Sequence, residues 1–488
     1  MSAKPVTLAR LAAIVPGATI VGENVAVQDL VHDSRDAGPG AAFIAVRGAT
    51  VDGHDHAQAA CASGAAAVVV DHELDIDCPQ LVVDHTRGVM AALAAAVHGE
   101  PATEMKMVGV TGTNGKTTVT HMLEGIVRAA GGVPGIAGTI GTHVAGEVVA
   151  QARTTPEATD LHRLLRLMAD RGVTVSALEV SSHALVFGRA DAIVFDVAVF
   201  TNLSQDHLDF HHTMEEYFAA KAKLFEADRA RHAVVWHDDP AGARIATETA
   251  LATTTVGFDP GCDVVGSIVR LDPDATIVDV EIANVSTRMR VPLAGRFNAA
   301  NALVAVATAD HLGFPIDAIV GGIEGLPAVP GRFEPVPNNL GLTVIVDYAH
   351  TPDAVAASIA TAAEITTGRV IAVAGSAGDR DREKRGPMGA AAATADLAII
   401  TSDNPRSEDP ATLVEQVLVG AGGRSDRVIG EVDRRDAIRT ALEMARHDDV
   451  VLILGKGHET YQEFADGSID FDDRTVASEE MVSIGGAE

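Results

Sequence analysis

Thr111-Gly112-Thr113-Asn114-Gly115-Lys116-Thr117-Thr118 has the composition of a phosphate cradle. Small residues let backbone N–H groups converge on an anion, and a helix starting just after them adds positive potential. In such a loop Lys116 reaches the β- and γ-phosphates of a nucleoside triphosphate, and the Thr117 hydroxyl ligates Mg²⁺. The general pattern has a glycine five residues before Gly115, where this sequence has Val110. Phosphoryl transfer assisted by a hard cation is the expected chemistry.

Two further segments carry groups suited to such a cation. Glu179 closes an apolar run at 174–180 and is followed by Ser181-Ser182-His183. A carboxylate at the end of a strand beside a phosphate loop is a natural Mg²⁺ ligand. The run Thr201-Asn202-Leu203-Ser204-Gln205-Asp206-His207-Leu208-Asp209 follows another apolar stretch. Its Asp206, His207 and Asp209, with His211 and His212, could instead form a zinc cluster. They lack the spacing and glutamate of a zincin helix, and the phosphate loop already asks for a hard cation.

Three charged loops lie in the last third: Gly378-Asp379-Arg380-Asp381, Asp403-Asn404-Pro405-Arg406 and Gly455-Lys456-Gly457-His458-Glu459. A free amino acid needs cations for its carboxylates and anions for its ammonium groups. Arg380 and Arg406 can supply the first, Glu459 the second.

The elements that must position these residues follow an α/β grammar. Short strands at 43–46 and 66–70 and helical stretches at 56–63 and 89–97 occupy the start of the chain. A strand at 105–110 leads into the phosphate loop. The helix after it carries Val119, Met122, Leu123, Ile126 and Val127 on one face, closed by Gly131-Gly132. Strands at 174–180 and 196–200 follow. Beyond Gly325-Leu326-Pro327-Ala328-Val329-Pro330-Gly331 come strands at 342–347, 370–374, 397–401 and 450–454. Parallel strands bring their carboxyl-end loops to one sheet edge, where ligands bind in open α/β sheets. Three domains are expected, at 1–98, 99–327 and 328–488.

The net charge of −30, from 37 basic and 67 acidic residues, argues against nucleic acid as a partner. Cys61, Cys78 and Cys262 form no disulfide framework. No apolar run approaches a membrane span, so a cytoplasmic protein, a monomer, is expected.

The variant Thr-Gly-Thr-Asn-Gly-Lys-Thr resembles the loop of the Mur ligases and the related folylpolyglutamate synthetases, and the resemblance extends over nearly the whole chain. It implies a small N-terminal α/β UDP-binding domain, a central P-loop ATP-binding domain with a parallel sheet, and a C-terminal Rossmann-like domain for the incoming amino acid. It implies ATP and Mg²⁺, with Gly112, Thr113, Asn114, Gly115, Lys116, Thr117 and Thr118 on the phosphates and Asn301 of Phe297-Asn298-Ala299-Ala300-Asn301 on the base. Thr117, Glu179, His207 and Lys221, the last as a carbamate, hold the metal on this reading, and Lys116, His207 and Lys221 are catalytic. Lys223 competes with Lys221, but the motif favours Lys221. Ser34 of Asp33-Ser34-Arg35 is matched to the UDP-muramoyl dipeptide, as are Thr154 and Thr155 of Arg153-Thr154-Thr155-Pro156, Ser181 and Arg189. Phe187 stands where relatives can carry a polar contact. The amino acid is matched to Arg380, Asp403, Asn404, Pro405, Arg406, Gly455 and Glu459. His350 also lies in a family motif, Asp347-Tyr348-Ala349-His350-Thr351-Pro352.

Asp403-Asn404-Pro405-Arg406 matches the motif of the members that add meso-diaminopimelate. That amino acid carries a second carboxylate that lysine lacks. The implied reaction is ATP-driven amide formation through an acyl phosphate. Alternatives are a lysine-adding member, a folylpolyglutamate synthetase and a P-loop switch protein that hydrolyses nucleotide slowly.

Overall fold

Runs of small and β-branched residues build three sheets in succession along the chain. The computed structural model describes residues 4–48, 50–149, 153–282 and 285–485. In the first sheet Ala67–Val70 and Ala41–Ile44 are wholly buried, as central strands covered on both faces must be. The order is Thr19–Val21, Gln80–Val82, Ala67–Val70, Ala41–Ile44, Asp29–Val31, and only the first pair is antiparallel. The helix Thr86–Val97 packs Met90, Leu93 and Val97 onto it.

The central sheet has eleven strands, seven of them parallel, in the order Pro134–Gly138, Val175–Glu179, Lys106–Thr111, Val197–Phe200, His232–Trp236, Ala252–Gly257 and Val264–Asp272. Antiparallel strands extend both ends: Gly141–Val144 with Glu147–Val149, and Ala275–Ile282 with Val285–Val291. Lys106–Thr111 lies between Val175–Glu179 and Val197–Phe200. The phosphate loop, Glu179 and the segment from Thr201 therefore leave the sheet side by side. The helices Lys116–Ala129, Arg296–His311 and Ile316–Glu324 cover one face.

The third sheet runs Glu334–Pro335, Thr343–Asp347, Val450–Leu454, Val370–Ser376, Leu397–Ser402, Val428–Gly430, parallel except for the first pair. Its core reaches into the central part of the chain. Ala294 belongs to it, and the rings of Phe297 and Phe333 meet edge to face at 5.7 Å. Arg434 and Asp473 are both fully buried and pair at 2.7 Å, and the same guanidinium donates to Leu454 O at 3.0 Å.

The α/β class and the three-domain architecture agree with the sequence reading, and the foreseen strands end within about two residues of their expected bounds. The antiparallel extensions were not foreseen, nor was the hairpin Tyr461–Phe464 with Gly467–Asp470. Among the described residues no helix is long and apolar enough to cross a membrane.

His162, in the helix Ala158–Asp170, is wholly buried, and its Nε2–H donates to Asp191 O at 3.2 Å. Burial pushes its pKa down to about 4. Above pH 6.5 the imidazole is neutral in both folded and unfolded chains. Below it the unfolded chain takes up a proton that the folded chain refuses. Stability is thus expected to fall between pH 6.5 and 4, with about 3 kcal/mol from this residue. Urea unfolding of the wild type and His162→Gln at pH 7 and 4.5 checks this; equal losses in both would remove His162 as a source.

Candidate active site

The phosphate loop owes its shape to close approaches. Gly115 caps the helix Lys116–Ala129 at φ 86°, where L side chains are strained. A Cβ there would lie 2.3 Å from Asn301 Oδ1. Asn301 therefore packs against the loop itself, and its Nδ2 faces Asn298 Oδ1 at 3.4 Å. The segment after Val197–Phe200 braces the loop from the other side. Asn114 N–H donates to Asn202 Oδ1 at 2.9 Å, and Ser204 N–H to Thr113 Oγ1 at 3.0 Å. Lys116 Nζ folds back onto Gly112 O and Thr113 O at 2.9 and 2.8 Å. Thr118 is buried.

Loop, metal candidates and C-terminal residues line one cavity of about 910 Å³, roomy enough for a nucleotide. Glu179 is 1% exposed, and its two oxygens accept from Thr139 N–H at 2.8 Å and Thr139 Oγ1–H at 2.9 Å. His207 sits at φ 55°, a conformation uncommon outside glycine. Burial holds its imidazole neutral, pushing the pKa down to about 3; Asp206 opposes this, while His183, Lys221 and His350 add to it. Lys221 is 2% exposed, donates to Gly112 O at 2.7 Å and lies 4.4 Å from the Tyr217 ring centre. Burial, then the charge of Lys116, pushes its pKa well below the usual lysine value. No carboxylate pairs with Lys221 among the described residues. A buried amine so placed fits conversion to a carbamate, which would join Thr117 and Glu179 as an oxygen donor for Mg²⁺. Lys223 lies in the next short turn, at Lys223–Phe225, and does not line the cavity. The zinc alternative is not supported. His211 Nε2 is engaged with Ser182 Oγ at 2.9 Å, and His207, His211 and His212 do not converge among the described residues.

Arg332, Tyr348 and His350 are among the C-terminal residues that line this cavity, and Lys384 reaches Asp206 at its wall. Arg332 Nη2 donates to Thr117 Oγ1 at 3.0 Å, and its guanidinium lies 4.5 Å from the Tyr348 ring centre. Lys384 Nζ and His350 Nε2 approach Asp206 at 3.1 and 3.7 Å. Burial alone would raise the Asp206 pKa. The nearby imidazoles of His350 and His207 and the charge of Lys384 outweigh it and hold the carboxyl well below its usual range. Arg332 and Lys384 were not picked out from the sequence.

Beside Glu179 the segment 153–155 docks onto the strand end. Thr155 Oγ1–H donates to Glu179 O at 2.8 Å and accepts from Ser181 N–H at 3.1 Å. Thr154 Oγ1 lies 3.1 Å from Thr139 Oγ1. Three arginines gather on the buried Glu157: Arg153 at 2.6 Å, Arg189 at 2.9 Å and Arg87 at 3.3 Å. One carboxylate under three guanidiniums leaves a net positive surface, suited to an anionic substrate. Arg87 and Arg189 lie 5.4 and 5.6 Å from the Phe187 ring centre, so this Phe supports the two cations. Arg87 comes from the first sheet's helix, and no sequence motif marks it. Ser34 lies in a short turn capped by Asp33, and no described hydrogen bond links its side chain to the cavity.

The charged loops of the third sheet meet as expected, though with more internal pairing. Asn404 Nδ2–H donates to Glu459 Oε2 at 2.7 Å. The wholly buried Lys456 Nζ reaches Glu459 Oε2 at 3.2 Å and Asn404 Oδ1 at 3.3 Å. A Cβ on Gly455, at φ 113°, would lie 2.4 Å from Asp403 Oδ2. Burial, then Asp403, raises the pKa of Glu459. Pro405 leads into Arg406, at φ 55°. Arg406 Nε donates to Glu463 Oε2 at 2.9 Å and Nη1 to Gly378 O at 2.7 Å. Arg380 is exposed and makes no ion pair among the described residues. Lys456 and Glu463 were not assigned from the sequence.

The chain is similar to known proteins along nearly its whole length. The description "Mur ligase family, catalytic domain" matches residues 27–112, "Mur ligase middle domain" residues 110–309, and "Mur ligase, glutamate ligase domain" residues 331–457. A UDP-N-acetylmuramoyl-L-alanyl-D-glutamate–2,6-diaminopimelate ligase of Bacillus licheniformis is 41% identical over 470 residues, 95% of this chain and 96% of the relative. The ligase of the same name from Geobacillus thermodenitrificans is 43% identical over 464 residues, 93% and 95% of the two chains. A solved structure carrying that ligase name superposes with a TM-score of 0.70 at 30% identity, covering 99% of this chain and all of the other. The MurF ligase from Thermotoga maritima in complex with ADP shares the fold, with a TM-score of 0.64 at 20% identity over 94% and 97% of the chains. With its phosphate loop, its three sheets and relatives matched along nearly their whole length, this chain belongs to the Mur ligase family.

Proposed function

We propose that this enzyme uses ATP to join meso-diaminopimelate to UDP-N-acetylmuramoyl-L-alanyl-D-glutamate, in peptidoglycan synthesis. The observation carrying the amino-acid choice is the meeting of Asp403-Asn404-Pro405-Arg406 with Lys456 and Glu459 at one sheet edge. The side-chain carboxylate of the D-glutamate attacks the γ-phosphate of ATP. The P–O bond to ADP breaks and an acyl phosphate forms, with Lys116 neutralising charge along the transfer. The neutral amine of the amino acid then attacks the acyl carbon. Phosphate leaves, and the amine gives up a proton as the amide forms. Mg²⁺, held by Thr117, Glu179, His207 and carbamylated Lys221, would supply charge neutralisation at the phosphates. Arg87, Arg189, Thr154, Thr155, Ser181 and Ser34 serve the UDP-linked substrate. Asp403 and Glu459 hold an ammonium group, and Arg406, with Arg380 at the entrance, holds the carboxylates.

The domain division at 98/99 and 327/328 follows the three sheets and keeps each site at a domain edge. A monomer is sufficient on this reading, since one chain supplies every residue named, and the cytoplasm is the compartment that supplies ATP.

Phosphate release from ATP tests this, with the UDP-muramoyl dipeptide present and meso-diaminopimelate or L-lysine added in parallel. Release with diaminopimelate and a tripeptide product by mass is expected. Arg406→Ala is expected to raise the KM for diaminopimelate roughly 10- to 100-fold, the worth of one charged hydrogen bond. Release with lysine alone would sink the pocket assignment. Release without any amino acid would point to a nucleotide switch.

A further inference from the structure

One turn beyond Thr117, the helix Lys116–Ala129 presents His121 and Glu124 on one face, and the strand Gly141–Val144 lays His143 against them. One ligand atom from each of the three lies within 4.8 Å of the others. His121 and Glu124 are 9% and 7% exposed, and the two imidazoles meet edge to face at 5.5 Å. His143 Nδ1 is 3.1 Å from both oxygens of Glu124.

The tautomer of His121 is set by its surroundings. Its Nδ1 lies 2.8 Å from Thr117 O, and a carbonyl can only accept, so Nδ1 carries the proton. Nε2 is left as a bare lone pair, with no hydrogen-bond partner among the described residues. Metal-binding histidines are oriented in this way, one nitrogen tied to a backbone carbonyl and the other turned to the ion.

A second cluster, His54, Asp71 and His72, lacks this freedom. Arg47 holds Asp71 at 2.8 Å, and both nitrogens of His54 are engaged, by Asp52 and by Asp71 N–H. At Glu124 the competitor is Arg128, 2.8 Å from Oε1, but its side chain is 55% exposed and can swing away.

We infer that His121, Glu124 and His143 form a second cation site, for a late first-row divalent ion such as Zn²⁺, separate from the Mg²⁺ site at the phosphates. Two imidazoles and one carboxylate suit Zn²⁺ and leave a fourth position for water. Mg²⁺ prefers an octahedron of oxygens and is a poor competitor here. An ion so held ties the edge hairpin of the central sheet to the helix that begins at the phosphate loop.

The test uses the full chain, stripped with chelator, titrated with Zn²⁺ alone by calorimetry in excess Mg²⁺, and with Co²⁺ followed by its visible absorption. The wild type is expected to bind at a single strong site, with cobalt bands of a four-coordinate ion. His143→Gln is expected to weaken Zn²⁺ binding by more than about 100-fold, beyond the roughly 10- to 100-fold that loss of an outer-shell partner costs. Glu124→Gln, close in shape, is expected to do the same, while His72→Gln leaves the affinity unchanged. No strong site in the wild type, equal affinity in His143→Gln and Glu124→Gln, or loss confined to His72→Gln would overturn the inference.

Discussion

Replacing Lys221 by alanine is expected to lower kcat by about 10³-fold or more while leaving the fold intact, the scale of a lost electrostatic contact to a transferring phosphoryl group. The side chain is buried beside Lys116 with no carboxylate partner among the described residues, which would be a costly place for two ammonium groups. A neutral amine resolves the conflict, and a neutral amine is also the form that reacts with CO₂. The nitrogen attacks the carbon, one C–O double bond opens, and the nitrogen gives up a proton. The product is a carbamate anion, attracted to Lys116 and able to bind metal. Lys221→Arg keeps the positive charge but cannot make that anion, so it is expected to be as inactive as the alanine variant. Enzyme held in CO₂-free buffer is expected to lose activity and regain it on adding bicarbonate. A Lys221→Arg enzyme with substantial turnover, or no response to bicarbonate, would sink the carbamate.

Asp473→Ala is expected to destabilise the protein by about 3–5 kcal/mol, the cost of leaving one member of a buried pair alone. Neither Arg434 nor Asp473 reaches solvent, and Arg434 also bonds Ser402 O and Leu454 O. It thus ties the ends of two strands that carry the amino-acid loops to the helix Asp473–Gly485. An apolar double replacement, Arg434→Met with Asp473→Leu, is expected to recover much of the loss, since no charge remains to be buried. Urea unfolding of the three variants checks both statements. A single variant as stable as the wild type would mean that water reaches Arg434 once the carboxylate is gone.

The parts of the site legible in the sequence are those built from neighbours in the chain. The phosphate loop is one continuous segment between a strand and a helix, and Glu179 and Asp403-Asn404-Pro405-Arg406 each follow an apolar run directly. Residues brought in from afar left no such mark. Arg332 is 215 positions from Thr117 and follows a Pro- and Gly-rich stretch that reads as a linker. Lys384 stands in a run of alternating charges that looks solvated, yet it and Arg385 are buried at 8% and 2% exposure. Arg87 opens a helix whose apolar face belongs to another sheet's core. The antiparallel extensions escaped notice although Ala275–Ile282 buries alternate residues, because Thr276, Asp279 and Glu281 dilute its apolar run, and its neighbour Val264–Asp272 breaks register at Ile268/Arg270.

The central and C-terminal parts touch in two ways that respond differently to movement. At Phe297 and Phe333 the contact is apolar and has no preferred direction, so one side can roll on the other as on a fulcrum. At Asp206 the contacts are directional, and Lys384 and His350 leave together once the gap widens. A cleft held in this way would open on its charged side and pivot on its apolar one. Its latch is ionic while its hinge is not, and because Lys384 and Asp206 are both buried, salt would screen the latch only after the cleft has begun to open.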